Sequence, residues 1–172
     1  MNPDIKKINE EVFYVNNENL IAIDETVIDM LIKQAKKNQR GRSRLCTHKD
    51  INDVVHEMLI VHTNDVYVRP HKHIKKIESF YIIKGQCDII VFKDNGDIDG
   101  IIKMGEYGSG RNIYYRLNAP VFHSLIIHSE ILVFHETTEG PFNKKDTIYA
   151  PWSPVGDLVQ DARNFLSNIK EN

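Results

Sequence analysis

The segment Arg69-Pro-His71-Lys-His73-Ile-Lys-Lys-Ile-Glu78-Ser-Phe-Tyr-Ile-Ile-Lys-Gly85 gathers the side chains best suited to chemistry. Two histidines stand two apart, a carboxylate follows five residues on, and a glycine follows seven after that. Side chains on an extended strand repeat with a period of two, so His71 and His73 share a face. Glu78 opens Phe80-Tyr-Ile-Ile83, whose β-branched and aromatic content reads as a strand. Two strands could thus aim two imidazoles and a carboxylate at one point, a donor set that suits a first-row divalent cation and leaves coordination positions open. A His-x-His pair alone is more often surface or hydrogen-bonded histidine than a ligand pair, so context has to decide. His123 supplies that context. It lies in Asn118-Ala-Pro-Val-Phe-His123-Ser-Leu-Ile-Ile127, a turn followed by another strand-like run.

Short β-runs position these residues. Glu11–Val15 and Leu20–Ile23 read as two strands around an Asn-rich turn. Asp24 is a good helix cap, and Val27, Ile28, Met30, Leu31, Ile32 and Ala35 form one apolar stripe. Lys36, Lys37 and Arg40 crowd the end of this helix of about sixteen residues, and Gly41 stops it. The helix is expected on the outside of a β core. Cys87–Lys93 and Ile98–Lys103 flank Asp94-Asn95-Gly96-Asp97, a hairpin signal. Gly105–Arg111 lacks the lysine and helix of a phosphate-binding loop and reads as an ordinary connection. Runs at 113–117, 124–127 and 131–134 complete a series of short strands, the pattern of a β-sandwich or barrel. Asp157 caps a final helix whose Leu158, Val159, Ala162, Phe165, Leu166 and Ile169 share a face. Trp152 reads as a packing residue in a proline-stiffened segment, with a lid as the alternative. His56 and His128 are expected at the surface.

Period two also puts Arg42, Arg44, Cys46 and His48 on one face, and Tyr67, Arg69, His71 and His73 on another. The first set is either a charged edge strand protected from aggregation or the anion-reading wall of a pocket, and both readings stay open. An arginine beside a dication is costly unless an anion partners it, so Arg69 is expected to meet a substrate group or a nearby carboxylate.

These residues resemble a known family. His71-x-His73-x4-Glu78-x6-Gly85 matches the first cupin motif, and Pro120-x-x-His123 is similar to the second. Arg42–His48, Tyr67–His73, Phe92-x3-Gly96, Phe122–Leu125, Glu136-x3-Gly140-Pro-Phe142 and Asp146–Pro154 narrow the resemblance to cupin metalloproteins of the WbuC type. Asp65, Asn118, Pro120 and Ile127 depart from the usual cupin pattern. The resemblance implies an all-β double-stranded β-helix, the cupin jelly-roll barrel, with peripheral N- and C-terminal helices. Residues 1–45 would pack on the barrel, 46–155 would form it, and 156–172 would be the C-terminal helix. It implies one divalent transition metal (Fe, Mn, Co, Ni or Zn) on His71, His73, Glu78 and His123. His135 and Glu136 alternate out of phase, and the resemblance selects Glu136 as the inward residue. Glu136 and Tyr67 are then candidate proton-transfer groups, and Arg69, Arg44 and His48 candidate substrate contacts. The implied function is a metalloenzyme, such as an isomerase or epimerase, acting on an anionic sugar or nucleotide-sugar in bacterial surface-polysaccharide (O-antigen, lipopolysaccharide) biosynthesis. An iron-dependent dioxygenase and a non-catalytic binding module are the alternatives. A homodimer is a family-based expectation.

Bulk properties narrow the partners. The chain has 172 residues, enough for one domain with a sizeable core. A net charge of −2 argues against broad phosphate neutralisation and hence against nucleic-acid binding. No apolar run is long enough for a membrane helix, and the charged start of the chain is unlike a secretory signal. A cytoplasmic location follows as the expectation, with Cys46 and Cys87 as free thiols. The partner expected is a small anionic molecule, with neither nucleic acid nor membrane.

Overall fold

The computed structural model of the chain describes residues 3–16, 19–155, 162, 164, 165, 168 and 169. Twelve strands and one helix of full length are assigned among them: β1 (Ile5–Lys7), β2 (Val12–Val15), α1 (Glu25–Lys37), β3 (Arg42–Cys46), β4 (Val55–Thr63), β5 (His71–His73), β6 (Glu78–Lys84), β7 (Gln86–Phe92), β8 (Ile98–Gly105), β9 (Tyr114–Leu117), β10 (Phe122–Ile127), β11 (Ile131–Glu139) and β12 (Thr147–Tyr149). One sheet has the order β1-β2-β3-β4-β11-β6-β9 and the other β12-β5-β10-β7-β8. Their facing sides enclose Met58, Ile60, Phe80, Ile82, Ile89, Leu125 and Phe134, the interior of the barrel.

Strand alternation sorts every other residue outward. Leu45, Leu59, Val61 and Val133 leave the interior and meet Val27, Leu31 and Ala35 of α1. That spacing of four residues lines one helix face, so α1 buries a stripe against the seven-stranded sheet. Asp24 caps α1 as expected, accepting from the backbone N–H groups of Thr26 (3.0 Å) and Val27 (3.3 Å). The helix is shorter than its sequence suggests. It has 13 residues and ends at Asn38, whose side chain takes over the backbone groups that a further turn would have used, donating to Gln34 O and accepting from Arg40 N. Gly41, at φ 63°, then makes the turn into β3.

Leu20–Ile23 is not a strand. Ile21 and Ile23 pack beside α1 without a ladder partner, and the strands that pair with β2 are β1 and β3. The Asp94–Asp97 hairpin forms between β7 and β8, with Gly96 at φ 95°. Trp152 packs on that hairpin, against Phe92 and Phe122, and donates through Nε1 to Asp94 O (3.1 Å). It covers the outer face of the five-stranded sheet with Ala162, Phe165 and Ile169. Asp157, Leu158, Val159 and Leu166 lie outside the described residues. Cys46 and Cys87 are free and buried in the interior.

His128 is exposed, as expected, but His56 is not. His56 is 4% exposed and stacks on His48 with ring centroids 4.1 Å apart. His62 is also buried. Burial lowers the proton affinity of all three imidazoles, and for His62 burial and the charge of Arg44 push the pKa from 6.5 down to about 4. A histidine with a depressed folded pKa binds protons preferentially in the unfolded chain, so stability rises with pH across the interval. The urea midpoint is therefore expected to fall as pH drops from 6.5 toward 4. His62 alone should contribute up to about 3 kcal/mol to that loss.

Gly85 makes the tight turn from β6 to β7 at φ 91°, and a Cβ there would collide with the Ile131 carbonyl oxygen and the Ser129 hydroxyl. Gly85→Ala should cost roughly 1–3 kcal/mol of stability, read as a lower urea midpoint with unchanged slope.

Candidate metal centre

β5 is three residues long and lies between β12 and β10. Its alternation sends His71 and His73 inward, while Lys72 points out, over the Phe122 ring and to Asp94 (2.9 Å). His123, on β10, is directly opposite His71. Glu78 begins β6 in the other sheet, so both walls of the barrel contribute. One ligand atom from each of His71, His73, Glu78 and His123 lies within 4.8 Å of the other three. Donors bonded to one transition-metal ion at about 2.0–2.2 Å can be no more than about 4.4 Å apart, so a small contraction closes the set around an ion.

The surroundings fix the rings. His71 Nδ1 lies 2.8 Å from Arg69 O, His123 Nδ1 3.1 Å from Val121 O, and His73 Nδ1 3.2 Å from Thr147 Oγ1. Oxygen partners on Nδ1 turn each Nε2 toward the common point, as outer hydrogen bonds do at metal-binding histidines. His73 Nε2 is 3.0 Å from Glu78 Oε2, and His123 Nε2 is 3.5 Å from Glu78 Oε1. Burial alone would raise the Glu78 pKa, but the hydrogen bonds and charges of His123 and His73 outweigh it and hold the carboxyl below the ordinary range. Burial and the neighbouring His123 push His71 down to about 4, so its imidazole is neutral at physiological pH. Burial lowers the proton affinity of His123, but the hydrogen bond and charge of Glu78 outweigh it and raise its pKa, so a metal binding there would displace a proton as it meets the ionised Glu78 carboxylate.

Tyr115 is the residue that sequence reasoning missed. Its hydroxyl donates to Glu78 Oε1 (2.9 Å) from β9, and its ring stacks on Phe80 at 5.0 Å. Burial and the Glu78 charge raise its pKa well above 10.0, so it remains a donor. Its inward alternation across β9 was the available signal, but the pairing of β9 with β6 was not.

A cavity of about 1330 Å³ opens from the four candidate ligands and is also lined by Glu136, Arg44, Tyr67, Arg69 and His62. Glu136 faces in, with Leu132 and Phe134 on the same side of β11, while His135 faces out toward Glu57 (3.9 Å). Burial and the nearby Glu78 charge push Glu136 up to about 8. The Arg44 guanidinium makes no hydrogen bond or ion pair with a described residue, although its backbone N–H donates to Glu11 O (2.7 Å). Arg69 is engaged: it donates to Ser153 Oγ (3.0 Å) and Ala150 O (3.2 Å), with its guanidinium 5.1 Å from the Tyr149 ring centroid. Tyr67 donates to Pro154 O (3.2 Å). His48 is not brought to the cavity. Stacking on His56 and contact with Glu57 O (3.1 Å) hold it behind the sheet edge, because the chain turns after β3 instead of continuing its alternation.

A family model described as a domain of unknown function (DUF6016) matches residues 23–104. No curated protein sequence matches the chain. Among solved structures, the chain is similar to protein SO0799 from Shewanella oneidensis, with TM-score 0.55 and 10% identity over 70% of this chain and 82% of that one. It is also similar to the capsular polysaccharide assembling protein CapF from Staphylococcus aureus, with TM-score 0.52 and 18% identity over 65% of this chain and 32% of that one. The chain thus spans about a third of CapF's length. At these identities the likeness concerns the fold, which is the cupin jelly roll. Fold and side-chain cluster together define a cupin barrel with a His3Glu cluster that could hold a metal ion. Among the described residues, no helix is long and apolar enough to cross a membrane.

Removing the Tyr115 hydroxyl leaves Glu78 with one partner fewer but the aromatic packing intact. Tyr115→Phe should weaken divalent-metal affinity about 10–100-fold while the circular dichroism spectrum stays unchanged, as a competition titration with a chelating dye would show.

Proposed function

We propose that this chain is a cupin metalloenzyme of the WbuC type, acting on an anionic sugar or nucleotide-sugar in the assembly of a bacterial surface polysaccharide. One observation carries the reading. The four candidate ligands open onto a cavity whose wall also presents Arg44, a guanidinium with no hydrogen-bond or ion-pair partner among the described residues. Arg44 is exposed, and an arginine fork on the wall of a concave site attracts an anion and can hold it through paired hydrogen bonds. The polysaccharide context draws on the resemblance and on the printed name of CapF, a capsular polysaccharide assembling protein.

His71, His73, Glu78 and His123 would hold one divalent transition metal, which when bound supplies a Lewis acid for a carbonyl, enolate or hydroxyl oxygen. The chain's own residues do the rest. Arg44 holds the anionic group and orients the sugar across the cavity. Arg69, braced against Ser153 and Ala150, shapes the wall and adds positive potential. Glu136 moves the proton, because a carboxyl poised near 8 can both give and take one at neutral pH. Tyr67, whose hydroxyl is committed to Pro154, is the weaker candidate for that role.

Protein purified without added metal should contain close to one equivalent of a transition metal by elemental analysis, and His73→Ala should lose it. With nucleotide-sugars as substrates, Glu136→Gln should cut turnover roughly 100-fold or more at unchanged metal content. Full metal occupancy in His73→Ala would overturn the site. Iron with oxygen uptake would replace the reading with a dioxygenase, and ligand binding that never leads to turnover would replace it with a binding module.

A further inference from the structure

His62 has no role in the reading above, yet its position needs one. It lies on β4, opposite Arg42 of β3, while Arg44 is opposite Ile60. Arg44 and His62 are therefore diagonal neighbours on the inward face of adjacent strands, a spacing of roughly 7–8 Å that an arginine side chain can bridge. Both line the cavity. Arg42, on the same face, is already paired with Glu11 (2.9 Å) and offers less. His62 is 8% exposed, its Nδ1 is buried without a hydrogen-bond partner, and its Nε2 makes none with a described residue. The other groups packed on the ring are apolar: the Phe134 ring lies edge-on at 5.4 Å, and Leu132 is the register partner across β11.

A buried imidazole without partners destabilises the fold, and it sits beside a guanidinium that has none either. His62 Nδ1 is closed off by the protein, but one ligand group in the cavity would accept from both His62 Nε2 and the Arg44 guanidinium. A planar carboxylate can meet an arginine fork with both oxygens, and the lone pairs it then has left lie in that same plane. A donor on the next strand, displaced along the sheet, reaches an oxygen outside that plane, which a tetrahedral oxyanion possesses. We propose that Arg44 and His62 together form a phosphoryl-binding pole of the cavity, separate from the candidate metal centre, and that the ligand occupies the barrel with its phosphoryl group at this end. This deepens the metalloenzyme reading by naming the anionic group, yet the pole stands or falls on its own residues. The low proton affinity of His62 agrees with a ring next to a cation and out of water.

The test uses inorganic phosphate as the probe, on the full-length protein as purified and again after chelation of metal, with calorimetry for affinity and nitrogen-15 spectra for the imidazoles. Phosphate should bind in both forms, and acetate at least tenfold more weakly. The His62 ring resonances of the wild-type protein should shift on addition, a readout that does not depend on a variant folding. Arg44→Gln, at an exposed position, and His62→Gln should each weaken phosphate at least tenfold, whereas Arg116→Gln, an exposed arginine bonded to Asn118 (2.8 Å), should not. Binding that survives chelation and His73→Ala but fails in Arg44→Gln supports the pole even if no metal is ever found. No phosphate binding, equal binding of acetate, unmoved His62 resonances, or binding abolished by chelation would each overturn it. The last outcome would assign phosphate to the metal centre instead.

Discussion

An ionised carboxylate inside a β-barrel is the constraint around which the structure is arranged. Glu78 is 4% exposed, and a charge so far from water survives only with close partners of opposite charge or strong donors. The chain supplies them from three other strands: His73 on β5, His123 on β10 and Tyr115 on β9. None of these contacts is local in sequence except His73 with Glu78. Closing the two sheets over the interior is therefore what makes the charge tolerable, and the same closure brings the imidazole nitrogens within reach of one ion.

Closure in turn depends on covering both outer faces. The seven-stranded sheet would expose Leu45, Leu59, Val61 and Val133 without α1, and the five-stranded sheet would expose Ile90, Phe92, Phe122 and Ile126 without Ala150 and Trp152. The strand carrying His123 is buried along its whole length, Phe122–Ile127, because one side meets the barrel interior and the other this outer layer. Arg69 ties that layer to the site. It donates to Ser153 and Ala150 while its own carbonyl accepts from His71, so the segment that shields the outer face also sets the angle of a candidate ligand.

How much of this was readable from the sequence depends on whether the information is local. Period two was enough to put His71 with His73, Glu136 opposite in phase to His135, and Arg44 on one face with Arg42, but which way that face looks depends on the pairing of β3 with β4. The helix cap at Asp24 and the hairpin at Gly96 were legible because a single residue type decides each. Tyr115 and His62 were not, since their meaning comes from which strand lies next to β9 and β4. His48 and His56 misled for a related reason. Alternation predicts a direction only while the strand continues, and β3 stops at Cys46. Leu20–Ile23 has strand-like composition, but the neighbouring edge is already taken by β1, so tertiary pairing overrides propensity.

The buried Glu78 and the exposed Arg44, set apart in one cavity, limit what it can accept. Glu78 and its imidazoles form a self-satisfied cluster that tolerates a cation, while Glu136, raised by burial and by Glu78, is near neutrality between that cluster and Arg44. An interior with an electrophile-binding end, a proton-bearing carboxyl in the middle and an unpaired guanidinium at the far wall is polar in a definite direction. An apolar ligand would leave Arg44 uncompensated, and a cationic one would be repelled by it. On the proposed reading, a ligand carrying oxygen donors at one end and negative charge at the other would answer all three groups at once, so the barrel constrains ligand polarity more than reaction type.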